Sequence, residues 1–267
     1  LVNRYFKTTA TAAAALKSGE IQVSYVEADD AKTFAGNNAF RVVEGDSYVV
    51  NYLGFNGDAP LWKDERVRKA VMYAIDRNAI IASLFGGAAK PANCGYVAAH
   101  PVPSGIQPYA YSADKAKALL KEAGWDKING AKPITLLSYY TAPQQVNIMA
   151  AMQAMLAQVG INIVPKAVDV ATYNGTVYAP TPDWTQYPVV YAGIQIGPDP
   201  SGINVAINEK QIPPAGGNVA RVRDAGVTSA LDAALAETDD NKLASRYQDV
   251  CRAMNKSVPW GTMWGAK

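Results

Sequence analysis

The chain has a single histidine, His100, and only two cysteines, Cys94 and Cys251, in 267 residues. No Cys, His or carboxylate cluster has metal-ligand spacing, so no metal site is expected. Cys94 and His100 share a Pro/Gly-rich stretch with no helix start to lower a thiol pKa. That argues against a nucleophile pair, and no catalytic residue is assigned. No cofactor is expected either. G-x-G-x-x-G and Walker patterns are missing, and Gly86-Gly87 ends a helical pattern rather than opening one. No run approaches the roughly 18 consecutive apolar residues of a membrane span, and no signal peptide is visible. An excess of one charge is lacking too. Lys and Arg number 25 against 23 Asp and Glu, without a basic stripe, so nucleic acid is not an expected partner. The chain opens on Leu1 rather than Met, as expected of a processed, excised or truncated polypeptide.

Two cysteines admit one disulfide. Either Cys94 and Cys251 close a large loop, worth about 4–5 kcal/mol in the chain-entropy model, or they remain two partly buried thiols. An oxidising compartment would favour the bond.

What is present is an ordinary globular composition, 49% apolar and 18% charged, long enough for one large or two small domains. Residues 64–81 read as two capped helices. Asp64 caps the first, whose Val67, Ala70, Val71, Ala74 and Ile75 make one apolar stripe, with Arg66, Arg68 and Lys69 off it. Asp76 caps the second. Before this pair, strands are expected over residues 1–9, 21–26, 40–44 and 47–56, with short helices near 11–18 and 29–34. After it comes a loop over 86–112. Helices are then expected over 112–124, 143–159, 169–177, 225–238 and 241–255. Strands are expected over 133–140, 161–168, 187–196 and 259–264, and residues 203–223 look irregular. The β–α alternation implies an α/β fold with a mixed sheet flanked by helices.

The aromatic content is skewed. There are fifteen Tyr and five Trp against five Phe, and Tyr and Trp suit pockets for polar organic ligands. Trp184, Tyr187 and Tyr191 lead along one strand to Gln195. A Pro-Asp-Pro turn carrying Asp199 follows. These five are the candidate ligand-binding residues. The acidic pairs Asp64–Glu65 and Asp239–Asp240 sit where carboxylates cap helices.

The stretch from Asp64 to Ile81, DERVRKAVMYAIDRNAII, resembles the signature of the family 5 extracytoplasmic solute-binding proteins, which serve oligopeptide, dipeptide and nickel ABC importers. Other pieces follow the family's order: LKSGEI at 16–21, VNYLGFN at 50–56, YSADKAKALLKEAGW at 111–125, VGINI at 159–163, 193–200 and VPW at 258–260. The resemblance implies a lobe of the type II periplasmic-binding-protein fold. It also implies a full protein about twice this length, with ligand held between two lobes that close by a hinge. Residues 46–267 then correspond to the second lobe and 1–45 to an approach segment near the inter-lobe boundary, with the first lobe and the C-terminal return segment absent.

The implied function is substrate capture for an ABC importer without catalysis, by a monomer outside the cytoplasm, lipid-anchored in some full-length forms. Its partners would be a small organic ligand and permease subunits. Peptide-binding members carry Gly-Trp-Gly-x-Asp-Tyr-x-(Asp/Glu)-Pro, whose first Asp holds the peptide's α-ammonium. Here residues 193–200 read GIQIGPDP, one residue shorter and without that acid. An ammonium there would be desolvated without its partner, at a cost of several kcal/mol. The expected ligand is therefore not a peptide held by its N-terminus, and an oligosaccharide fits the Tyr/Trp/Gln chemistry better. The alternatives are a peptide receptor with its acid elsewhere and, in another class, a hydrolase using Cys94 or a carboxylate pair.

Overall fold

The computed structural model describes residues 2–26, 28–43, 45, 47–97 and 100–266. Two compact units divide the chain, Leu1–Gly45 and Asp46–Lys267.

The first unit holds α1 (Thr9–Lys17) and α2 (Ala28–Lys32). Thr8 caps α1 by accepting from the Thr11 amide, and the helix buries Ala12, Ala13 and Ala15. Phe34 and Phe40 meet edge to face at 4.9 Å. The strands expected over 1–9, 21–26 and 40–44 are not formed: among the described residues, this unit contains no strand. Leu1 and Glu44 lie outside the described residues.

The second unit is built on β1 (Val49–Phe55), whose residues from Val50 onward are buried. Next come α3 (Glu65–Ala74), α4 (Arg77–Leu84), β2 (Ala89–Pro91), α5 (Ala113–Ala123), α6 (Trp125–Ile128), β3 (Ile134–Ser138), α7 (Pro143–Ala157) and β4 (Ile163–Ala167). They are followed by α8 (Val170–Val177), β5 (Val189–Gln195), α9 (Asn204–Ile207), α10 (Ala225–Leu235), α11 (Asp240–Ser257) and β6 (Trp260–Ala266). The six strands form one mixed sheet in the order β2-β6-β1-β5-β3-β4. The β4, β3 and β5 strands are mutually parallel, whereas β1 runs antiparallel to both β5 and β6. Pro165 is tolerated in β4 because that strand is an edge.

Side chains alternate between two cores. One face of the sheet presents Leu53, Phe55, Leu136, Val189 and Met263 to α3, α4, α5 and α7. The other presents Val50, Tyr52, Leu137, Val190 and Ala192 to α8, α9, α10 and α11. This is the expected α/β architecture, a mixed sheet between helical layers. The anticipated caps form as well: Asp64 accepts from the Arg66 amide, Asp76 from Ala79 and Ser112 from Lys115. Gly124 ends α5 at φ 75°, a conformation favouring glycine.

Two arginines of the signature stretch lock distant backbone. Arg68 lies off the apolar stripe, yet Nε donates to Val258 O at 2.9 Å and Nη2 to Ser257 O at 2.7 Å. Those bonds hold the end of α11, where Val258 sits at φ +49°, a strained position for a β-branched residue. Arg77 is buried and donates to the carbonyls of Ala92, Thr262 and Pro108. Burial pushes its pKa down to about 10. The expected loop over 86–112 contains β2 and is tied down in several places; Ala98 and Ala99 within it lie outside the described residues. Asn255 accepts from the Gln107 amide and donates to Asn93 O and Gln107 O. Cys94 and Cys251 form a disulfide with Cα atoms 5.2 Å apart.

Candidate functional site

In an open α/β sheet, ligands bind outside the carboxyl ends of the strands, where neighbouring connections leave towards opposite faces. The second unit has such a point between β3 and β5. From β3 the chain turns to α7 on one face, and from β5 it turns to α9 on the other. The residues gathered there are Asn51 on β1, Tyr139 and Tyr140 just beyond β3, and Gly193 to Gly197 at the end of β5.

Tyr139 packs against one core and Tyr140 against the other, so the pair straddles the sheet edge with ring centroids 4.6 Å apart. The β3–β5 ladder ends at Ser138 opposite Tyr191. Beyond it, the Tyr139 hydroxyl takes the place of a strand partner. It accepts from Gly193 N and donates to Gly193 O, both at 3.0 Å. Tyr140 Oη accepts from Asn51 Nδ2 at 2.9 Å, and Asn51 lies opposite Gly193 in the β1–β5 register. Glycine at 193 is a steric requirement, since a Cβ there would come within 2.3 Å of Tyr140 Oη. Burial, followed by the neighbouring Tyr139, pushes the Tyr140 pKa well above the ordinary tyrosine value, so the phenol stays neutral.

His100 joins this edge from the 86–112 segment. It is buried; Nδ1 accepts from the Val97 amide at 3.3 Å and Nε2 lies 2.7 Å from Gly197 O. A carbonyl only accepts, so Nε2 donates in that contact. Its ring is 5.3 Å from that of Tyr48 and 5.4 Å from that of Tyr96. Both ring nitrogens are engaged within the protein.

The edge is aromatic and amide-rich, and its carboxylates also serve as caps. Asp169 accepts from Thr172 N at 2.9 Å and from Thr172 Oγ1 at 2.6 Å, bonds that hold its carboxyl below the usual range. Asp199 caps the turn at Pro200–Ile203 by accepting from Ser201 N at 2.9 Å, and its residue is exposed.

The five residues singled out in the sequence are not gathered in one place. Gln195 is exposed at the carboxyl end of β5, next to Tyr139 and Tyr140, with Asp199 beyond it. Tyr191 is fully buried within β5, its hydroxyl donating to Gln145 Oε1 at 3.0 Å. Trp184 and the fully buried Tyr187 precede the strand, at its amino end, and the strand itself spans about 20 Å to Gln195 at the usual rise per residue. Tyr139, Tyr140, Asn51 and His100 were not singled out. The signal for the tyrosines was in the chain: they directly follow a strand of a strand–helix–strand unit, where the switch-point rule applies. Asn51 and His100 reach the edge through the β1–β5 register and the folded loop, which no spacing reveals.

A hollow of about 470 Å³ opens at the opposite edge, beside Asp58, Lys63, Arg68, Arg223 and Asp224. Its charges are mostly spent: Asp58 pairs with Arg221 and Arg223, Arg68 holds backbone carbonyls, and Asp224 caps α10.

Residues 1–209 match the family model for bacterial extracellular solute-binding proteins, family 5, middle region. The chain belongs to this family. A Brucella ovis protein provisionally named an ABC transporter peptide-binding protein is 62% identical over 266 residues, covering all of this chain and 50% of the relative. The glutathione-binding protein GsiB of Pectobacterium atrosepticum is 29% identical over 259 residues, 94% of this chain and 49% of its own. Among solved structures, the oligopeptide-binding protein AppA of Bacillus subtilis, in complex with a nonapeptide, superposes with a TM-score of 0.82 at 22% identity, over 97% of this chain and 53% of AppA. NikZ of Campylobacter jejuni, in complex with Ni(L-His), gives 0.80 at 21%, over 97% and 53%. These likenesses establish the family 5 fold, a lobe of a type II periplasmic binding protein. The chain spans about half the length of the curated relatives it matches.

Proposed function

We propose that the protein carrying this chain is the solute receptor of an ABC importer. Residues 46–267 form its second lobe, residues 1–45 lie near the inter-lobe boundary, and the carboxyl edge of the sheet is one wall of the ligand cleft. Capture between two lobes, closure and delivery to membrane permease subunits constitute the mechanism, with no chemical step. The receptor works outside the cytoplasm as a monomer. The Cys94–Cys251 disulfide suits an oxidising compartment, and among the described residues no helix is long and apolar enough to cross a membrane. The hydrolase alternative lacks its nucleophile, because Cys94 is buried in the disulfide. The pairs Asp64–Glu65 and Asp239–Asp240 stand at helix starts, where Asp64 and Asp239 act as caps.

The observation that carries the reading is the Asn51–Tyr140–Tyr139–Gly193 cluster at the switch point. It offers aromatic faces and neutral polar groups, with Gln195 exposed beside it. Asp169 and Asp199, which follow β4 and β5, each accept backbone amides as caps. A neutral, polar organic ligand such as an oligosaccharide fits this wall better than a peptide anchored by its α-ammonium. The second reading is a peptide receptor whose acid comes from elsewhere, and the name of the Brucella relative favours it.

Native mass spectrometry of small molecules co-purified with the full-length protein separates the two. Recovery of a neutral polar ligand is the expected result. Peptides with free N-termini, displaced by N-acetylation, would establish the second reading.

A further inference from the structure

The hollow at the sheet edge opposite Gln195 is built from three stretches far apart in the chain, 55–68, 222–224 and 259. Its floor is the end of β1 and the turn that follows, where Phe55 and Trp62 are buried with ring centroids 4.8 Å apart. Val222 and Pro259 complete the apolar side. These pieces are fastened to one another. Gly57 N donates to Ala220 O at 2.8 Å, and a Cβ at Gly57 would come within 2.2 Å of Arg221 O, so only glycine admits that approach. Arg68 ties α3 to Ser257 O and Val258 O, next to Pro259. A hollow held in this way keeps its shape without an occupant, which lowers the ordering cost of binding.

Most polar groups around it have partners, but the partners do not balance the charge. Lys63, Arg68, Arg221 and Arg223 bring four positive charges, against two negative ones from Asp58 and Asp224. Asp58 is shared between Arg221 and Arg223, and Asp224 accepts from Val227 N as the cap of α10. Arg68 pairs with no carboxylate among the described residues. Its N–H groups donate to the carbonyls of Trp62, Lys63, Ser257 and Val258. Carbonyls satisfy donors without cancelling a charge, and burial lowers the Arg68 pKa. Lys63 is exposed and likewise has no ion-pair partner among the described residues. Arg223 bonds through Nη1 alone, so its Nε and Nη2 have no acceptor there.

A concave surface with an excess of one charge concentrates counter-ions. The volume, about 470 Å³, lies in the range of small-molecule sites, roughly 300–1,000 Å³. An inorganic ion would use the cations and leave the apolar side uncovered. We infer that this hollow is a second binding site, for a small organic anion whose carboxylate or phosphate bonds Lys63 and Arg223 and whose apolar body lies against Val222 and Pro259. Arg68 adds its charge from the wall. The length of β1, about 20 Å at the usual rise per residue, separates this site from the Tyr139–Tyr140 edge. The inference therefore goes beyond the receptor reading and does not depend on it.

Fluorine NMR on the full-length protein tests it, with fluorobenzoate, fluorophenyl phosphate and the uncharged fluorobenzamide as probes. At least one anion should bind about tenfold or more tightly than the amide, and the tighter of the two identifies the head group. Lys63→Gln and Arg223→Gln should each weaken that binding about three- to tenfold, and together abolish it. Lys63 is exposed, so Lys63→Gln should leave the fold and solute capture elsewhere unchanged. Gln195→Ala, at the other edge, should leave anion binding as it is. The inference is overturned if neither anion binds at millimolar concentration or if the amide binds as tightly. It is equally overturned if both glutamine substitutions leave binding untouched, or if Gln195→Ala removes it, which would place the probe at the other edge.

Discussion

Residues 21–26 and 49–55 both read as strands in the sequence, yet only the second is one. Val49–Phe55 lies between β5 and β6, with a ladder on each side and a core against each face. Residues 21–26 alternate apolar and polar but have no ladder, and Val23 faces water. A strand is a relation between segments. Alternation supplies the face, and only a neighbour supplies the hydrogen bonds and the burial that offset chain entropy.

Four changes test this contrast from the closed side. The largest expected effect comes from removing the disulfide. Its partners are 157 residues apart, so Cys94→Ala with Cys251→Ala should cost about 4–5 kcal/mol in urea unfolding. Arg77→Met comes next. It orphans the carbonyls of Ala92, Thr262 and Pro108 and should cost about 3–4 kcal/mol, read from the same denaturation curves. Gly193→Ala forces a Cβ against Tyr140 Oη. A loss of about 1–3 kcal/mol is expected, together with weakened ligand capture by the full-length protein.

The smallest effect is a pH dependence. The hydrogen bond from Arg66, ahead of the other causes, holds the Asp64 carboxyl below its usual value. A depressed folded pKa means that its contribution is present above the unfolded pKa and disappears as pH falls through the folded one. Asp64→Asn should therefore flatten the acid limb of stability below about pH 4 and leave neutral-pH ligand capture unchanged. A variant whose acid limb matches the wild type would remove Asp64 from that account.

Much of the second unit was legible in the chain. The caps at Asp64, Asp76 and Ser112, the apolar stripe from Val67 to Ala74 and the turn at Gly124 are local features, set by side chains within a few residues. The site was less legible. Tyr187 and Tyr191 looked like pocket residues because they are tyrosines on a strand, but in this fold both point into cores. Nothing in the spacing told the buried face from the open edge.

Sequence by itself determined the family, the capped helices and the five longer strands of the second unit. These depend on residue identity and short-range periodicity. Tertiary structure alone decided which of the strand-patterned segments would find a partner and which tyrosines would meet at the β3–β5 edge. It also set the roles of Arg68, Arg77 and His100 in holding remote backbone. Those outcomes depend on partners tens to hundreds of residues away, and local pattern carries no information about whether such a partner is there.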